Sequence, residues 1–199
     1  MRIKSNNSIA AFIFARGGSK GIPKKNTKEL CGHPLIAYSI NIALENKNID
    51  KVYVSTDDQE IATISKKYGA EVPFIRPSEL AQDNSKEWDA WQHAMNFLKE
   101  HNSIPDIMIS LPPTSPLRSQ EDINACIQKI IETDLDAVIS VTKSQRHPMF
   151  NMVVESDSKT VELFSTSENN YSRRQDLPLS YDITTVAYAV RSDFIMNSK

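Results

Sequence analysis

Short apolar runs alternate with stretches of helical period along most of this chain. Residues 9–14, 52–55, 107–111 and 137–141 are of strand length and mostly lack polar alternation, the pattern of strands buried on both faces. Between them, residues 34–45 place Leu35, Ile36, Ile40 and Ala43 at helical spacing. Residues 58–68 form a second helical pattern that Gly69 would cap. Residues 85–100 and 120–132 complete the set. This β/α alternation predicts a three-layer α/β/α domain with a mostly parallel sheet.

After about Lys143 the rhythm breaks. Residues 144–182 hold three short extended segments and a polar, Arg-containing loop without helical period. They are expected to form a small β arm. Residues 184–190 return to β-branched and apolar character, so the arm should leave and rejoin the same sheet.

Composition narrows the possibilities. The 199 residues are 40% hydrophobic and 24% charged, which suits one ordinary globular domain. Lys plus Arg is 23 against 25 for Asp plus Glu, which argues against a general nucleic-acid or anionic-membrane binder. No stretch approaches the apolar length of a membrane span. Arg2 and Lys4 precede the first apolar run as in a leader, but no small-residue cleavage site follows it. The sequon at Asn6 then carries no meaning, and a cytoplasmic location is expected. Cys31 and Cys126 match no metal or redox spacing, so reduced, buried thiols are expected.

One segment departs from this ordinary background. Of only five glycines, Gly17, Gly18 and Gly21 fall together directly after the first strand. Arg16, Lys20, Lys24, Lys25 and Lys28 add five positive charges there with no acid between them, leaving -7 for the rest of the chain. Open α/β sheets bind ligands outside the carboxyl ends of their strands. Glycines let backbone N–H groups approach an anion and the cations neutralise it, a combination suited to a nucleoside triphosphate. Neither the Walker spacing nor the G-x-G-x-x-G fingerprint is present. A flexible, solvated loop would not account for the strand immediately before it.

The string Ala15-Arg16-Gly17-Gly18-Ser19-Lys20-Gly21-Ile22-Pro23-Lys24-Lys25-Asn26 closely resembles the signature of the acylneuraminate cytidylyltransferases, the CMP-sialic acid synthetases. Val54-Ser55-Thr56-Asp57, Arg76-Pro77-Ser78-Glu79-Leu80-Ala81, Pro113-Thr114-Ser115-Pro116-Leu117-Arg118 and Arg173-Arg174-Gln175-Asp176-Leu177-Pro178 follow in that family's order. The resemblance implies a nucleotide-diphospho-sugar transferase-like, Rossmann-like domain over residues 1–199. It also implies an inserted arm at 144–182 used for homodimerisation. The implied reaction joins CTP to an acidic nine-carbon-type 2-keto sugar, releasing pyrophosphate and forming a CMP-sugar.

On the matching positions, the resemblance makes Arg16 and Lys25 the catalytic, triphosphate-contacting cations. Gly17, Gly18, Ser19, Lys20, Asn26 and Arg76 would bind CTP, with Arg76 close to the cytosine. Thr114 and Ser115 would stand between nucleotide and sugar. Arg173 or Arg174 would reach the sugar carboxylate or a partner subunit's site. Mg2+ is implied, its ligands expected largely beyond residue 199, where the family has an Asp-containing segment; Asp57, Asp58 and Asp182 are substitutes, the first two fitting a helix N-cap and first turn equally well.

Pro112 replaces the Gln usual before Pro-Thr-Ser-Pro and offers no side-chain donor or acceptor. A catalytically silent homologue that binds nucleotide or pairs with a full-length partner is therefore an alternative, and a pyrophosphorylase for neutral sugar phosphates is another. Trp88, Trp91 and Met95 share helical spacing, which suits a core or interface better than a base-stacking platform. Met149, Phe150, Met152 and Val153 form an apolar cluster in the arm, suited to a C2 contact.

Overall fold

A computed structural model describes residues 3, 7–166, 171 and 173–198; Arg2, Lys4 and Asn6 lie outside the described residues. In chain order the elements are β1 (Ile9–Phe14), β2 (Glu29–Leu30), β3 (His33–Pro34), α1 (Leu35–Leu44), β4 (Lys51–Ser55), α2 (Gln59–Lys67) and α3 (Glu87–Glu100). There follow β5 (Ile107–Ser110), α4 (Gln120–Glu132), β6 (Ala137–Lys143), β7 (Val153–Glu155), β8 (Val161–Leu163), β9 (Tyr181–Arg191) and α5 (Ser192–Asn197). The chain divides into two compact units, Met1–Ser140 with Thr185–Lys199, and Val141–Thr184.

The central sheet has the order β4-β1-β5-β9-β6. β1 pairs in parallel with β4 and β5, and β9 runs antiparallel to β5. The sheet is mostly parallel at its centre, and a three-layer α/β/α domain follows from how its side chains alternate. Ala11 and Ile13 of β1, Val52 and Val54 of β4, and Ile107 and Ile109 of β5 enter one core with Ile36, Ile61, Ile123 and Ile127 of the helices α1, α2 and α4. Phe12, Tyr53 and Met108, pointing the other way, pack with Trp91, Met95 and Leu98 of α3 and Ile195 of α5. A strand buried on both sides needs apolar residues at every position, which is what Ile-Ala-Ala-Phe-Ile-Phe provides. Trp88 packs against this second core beside Trp91, their rings 5.5 Å apart.

The helices start and stop by local chemistry. Asp58 caps α2 by accepting the Ile61 N–H at 2.9 Å. Gly69, at φ +96°, lies just past its end, where a left-handed residue is cheapest as glycine. Ser119 and Asp122 form a reciprocal capping box on α4.

Three expectations change. β6 is not buried on both faces: Ile139 and Val141 are exposed, whereas Val138, on the opposite face, packs against the first core, so only one face of this strand is covered. Cys31 is exposed rather than buried, while Cys126 is buried. Cys31 and Gly32 have φ of +48° and +85° and form the two-residue turn between β2 and β3, a geometry that leaves the turn side chain in water. The hairpin and α5 had no signal in the apolar pattern, being too short to show a period.

The second unit is built around the hairpin β7-β8, with Val153 opposite Leu163. Many of its apolar residues stay open: Phe150, Val153, Val154, Val161, Leu163 and Phe164 are exposed, whereas Met149 and Met152 are half-buried.

Candidate functional site

Parallel β1, β4 and β5 end on one edge of the sheet, so the segments that follow them meet there. Antiparallel β9 brings Thr185 and Tyr188 to the same edge, since Tyr188 is in register with Ser110. A cavity of about 660 Å³ opens at this place, within the range of small-molecule sites. Arg16, Ser19, Lys20, Lys25, Asn26, Arg76 and Thr114 all line it. Segments distant in sequence thus supply seven of the expected site residues to one cavity.

The remaining expected residues fall elsewhere. Gly17 and Gly18 do not line the cavity but sit in the loop that frames it. Ser115 stands one residue behind the wall, its Oγ 2.9 Å from Thr185 Oγ1, while Thr114 Oγ1 donates to the same Thr185 oxygen at 3.1 Å. Arg173 and Arg174 belong to the second unit. Arg173 makes a forked contact to Asp176, from Nε at 2.9 Å and from a terminal nitrogen at 3.0 Å. Arg174 donates to the Gln145 carbonyl at 2.6 Å and, with Lys143, Arg146 and His147, lines a separate cavity of about 420 Å³ in that unit.

The loop after β1 is held by side chains that arrive from several directions. Asn26 is buried and donates from Nδ2 to the Arg16 carbonyl at 3.0 Å, tying the two ends of the loop together. The Gly17 N–H donates to Asp57 Oδ1 at 3.0 Å. A Cβ on Gly17 would lie 2.6 Å from Asp58 Oδ2 and 2.9 Å from Asp58 Cβ, so glycine is required here by the approach of the α2 cap. A Cβ on Gly18 or Gly21 would meet no protein atom within 4 Å, so the chain's own packing does not demand glycine at either place.

The cations divide by partner. Lys24 turns away to Glu60 at 2.7 Å, and that carboxylate raises the lysine. Arg16 donates to the Gln82 carbonyl at 2.8 Å and pairs with Asp83 at 3.0 Å. Lys20 grips the other oxygen of the same carboxylate. Lys20 first, with Arg16 adding to it, holds the Asp83 carboxyl below the usual range. Asp83 thus occupies, with a carboxylate, the place between Arg16 and Lys20.

The opposite wall is the turn of residues 112–118. Arg118 is buried and organises it, donating to Ser39 Oγ at 2.6 Å, to the Val186 carbonyl at 2.7 Å and to the Pro112 carbonyl. Burial lowers Arg118 to about 10, still far above neutrality, so it remains a cation. Pro112, which has no side-chain hydrogen bond to give, takes part through its backbone oxygen.

At the base of the cavity Arg76 is 5% exposed. Its terminal nitrogen is 3.8 Å from Asp57, and its Nε has no hydrogen-bond partner among the described residues. Glu87, on the first turn of α3, lines the same cavity and accepts from the Trp91 indole N–H at 3.2 Å. Glu87 is exposed as a residue, and desolvation of its carboxyl raises it above the ordinary glutamate value.

Among the described residues no three His, Cys, Asp or Glu side chains converge as a metal site. Asp58 is used as a cap, Asp57 holds Gly17 and faces Arg76, and Asp182 accepts from Ser144 in the second unit. The described residues therefore do not form a metal cage of their own.

Sequence reasoning missed Asp83, Glu87, Thr185 and Tyr188 as cavity residues, and Arg118 as the brace of the wall. Asp83 and Glu87 are acids in a positively charged site, and Thr185 and Tyr188 read as ordinary strand residues. The antiparallel register of β9 was the missing information.

Known proteins resemble this chain in sequence and in fold. A family model described as cytidylyltransferase matches residues 10–198. The chain is 36% identical over 171 residues to a pseudaminic acid cytidylyltransferase of Campylobacter jejuni, covering 85% of this chain and 72% of that protein. It is 34% identical over 191 residues to a CMP-N,N'-diacetyllegionaminic acid synthase of the same species, covering 96% and 80%. Its fold is similar to that of a CMP:2-keto-3-deoxy-manno-octonic acid synthetase solved with CTP, with a TM-score of 0.71 at 22% identity, covering 96% of this chain and 76% of that one.

Proposed function

We propose, from the premise that this chain belongs to the cytidylyltransferase family, that it joins CTP to a sialic-acid-like 2-keto sugar acid and releases pyrophosphate. The observation that carries this reading is the single cavity in which Arg16, Lys20 and Lys25 meet Arg76 and Thr114. The relatives named for pseudaminic and legionaminic acids support an acidic nine-carbon-type sugar as the acceptor.

The sugar's anomeric hydroxyl attacks the α-phosphorus, the P–O bond to the β-phosphate breaks, and pyrophosphate departs with the electron pair. Such a reaction needs positioning and charge neutralisation more than covalent help. Arg16 and Lys25 neutralise the charge developing on the leaving pyrophosphate. The backbone around Gly17, Gly18 and Ser19 approaches the phosphates, and Lys20 and Asn26 border them. The open surroundings of Gly18 and Gly21 support this, since close approach by a ligand would explain glycines that the protein's own packing does not. Before the phosphates can sit between Arg16 and Lys20, the Asp83 carboxylate must yield its place. Arg76 reads the cytosine, and Thr114 forms the wall toward the sugar, with Ser115 behind it holding Thr185.

Arg174 is the better candidate for the sugar carboxylate, because Arg173 already spends one guanidinium edge on Asp176. The open apolar face of the second unit supports a homodimer formed through it. Magnesium belongs to the proposal as an ion delivered with CTP: Mg2+ is commonly held by substrate phosphates with few protein carboxylates, and it would share the neutralisation of phosphate charge. A cytoplasmic site of action fits free thiols, and among the described residues no helix is long and apolar enough to cross a membrane.

Pyrophosphate release measured with CTP and a panel of 2-keto sugar acids tests the reading. Turnover with one of them is the expected result. CTP binding without turnover on any acid would replace it with the silent-homologue reading, which Pro112 favours. Use of UTP or dTTP with a neutral sugar phosphate would favour a different pyrophosphorylase.

A further inference from the structure

Cytosine and uracil differ on one edge. Cytosine offers acceptors at O2 and N3 and a donor at N4, whereas uracil offers a donor at N3 and an acceptor at O4. A protein that distinguishes them needs donors facing O2 and N3 and an acceptor facing N4. A carboxylate serves as that acceptor, and a guanidinium supplies donors only.

The cavity is lined by one such pair, a buried arginine and an exposed glutamate. Arg76 is nearly buried and keeps an Nε–H without a hydrogen-bond partner among the described residues. Glu87 lines the same cavity, and the two influence each other electrostatically. Trp91 donates its indole N–H to one Glu87 oxygen at 3.2 Å. That bond orients the carboxylate and leaves the second oxygen as an acceptor.

We infer that Glu87 is a specificity-determining residue of the nucleotide site, its free carboxylate oxygen accepting from the exocyclic amine of cytosine while Arg76 donates to the adjacent acceptors. This rests on the CTP reading above and adds to it the residue that rejects uracil. With UTP, O4 would face the carboxylate acceptor against acceptor. The helix start alone would also accommodate an acid at this position, but it gives no reason for the residue to line the cavity that Arg76 also lines.

The substitution Glu87→Gln makes the test sharp. Its Oε1 can keep the Trp91 bond, and the group then presented to the base is an amide NH2, a donor where an acceptor stood. Calorimetric titration of the full chain with CTP and with UTP is the measurement. The native chain is expected to favour CTP by tenfold or more, and Glu87→Gln to narrow that preference by roughly tenfold to hundredfold. A native chain that binds CTP and UTP equally, or a Glu87→Gln chain that keeps the native ratio, overturns the inference while leaving CTP binding intact. A native chain that takes up neither nucleotide sinks the CTP reading itself, and the inference with it.

A second measurement does not depend on the variant's folding. A CTP analogue lacking the exocyclic amine should bind the native chain roughly tenfold or more weakly than CTP. Equal binding overturns the inference.

Discussion

In the turn of residues 112–118, Arg118 is buried and spends its guanidinium on Ser39 and the carbonyls of Pro112 and Val186. In the loop of residues 16–26, Arg16 and Lys20 hold instead the carboxylate of Asp83, whose side chain is 45% exposed. The two walls of one cavity therefore contrast. A cation sealed among carbonyls fixes the shape of its wall and has nothing left for a ligand. Cations paired with an exposed acid keep their charge exchangeable, because a more highly charged anion can replace the partner that now satisfies them.

The comparison can be broken at four places. The largest effect is expected from Arg118→Met, which removes a donor from the Val186 carbonyl and from Ser39, while the Pro112 carbonyl keeps the Ser39 hydroxyl and the Ser115 N–H. Buried groups left without partners cost about 1–3 kcal/mol each, so a loss of about 3 kcal/mol in chemical denaturation is expected. A loss below about 1 kcal/mol would show that the turn does not depend on the brace.

Arg16→Ala should leave stability nearly unchanged but lower kcat/KM for CTP by roughly a hundredfold, the scale of removing one transition-state charge stabiliser. Steady-state pyrophosphate release checks this, and an unchanged kcat/KM would remove Arg16 from the proposed machinery. Gly17→Ala comes next. The new methyl would collide with Asp58, which must move and weaken the α2 cap, at a cost of about 1 kcal/mol. Thermal denaturation measures it, and a neutral substitution would mean that the cap shifts freely.

The smallest effect is expected from Asp83→Asn. Without the carboxylate charge the triphosphate has less to displace, so the Kd for CTP should fall by roughly twofold to fivefold, in keeping with the modest strength of exposed ion pairs. Weaker CTP binding would instead make Asp83 part of the bound state.

Much of the architecture was legible because it depends on local pattern. The run Ile9–Phe14 is apolar at every position and proved to be a central strand, and the helices over 34–45, 58–68, 85–100 and 120–132 appeared within two residues of those bounds. Pattern misled at β6, where an apolar run became an exposed edge strand. Apolar character shows what a strand can bury, and whether other elements cover its faces decides what it does bury: β4 also ends the sheet order and is buried on both faces, whereas β6 is not. The Gly-Lys loop could be found because charge and glycine cluster within a dozen consecutive residues. Arg118 could not be recognised as a brace, since its acceptors lie up to 79 residues away.

The sequence by itself determined the β/α order, the cationic loop after the first strand and the family to which the chain belongs, because each is written in residues that are neighbours along the chain. Only the tertiary structure decided that Asp83 fills the space between Arg16 and Lys20, that Glu87 and Arg76 line one cavity, and that Thr185 and Tyr188 close it. Those contacts join segments far apart along the chain, and what brings them together is the parallel edge of a sheet whose strand order no local pattern encodes.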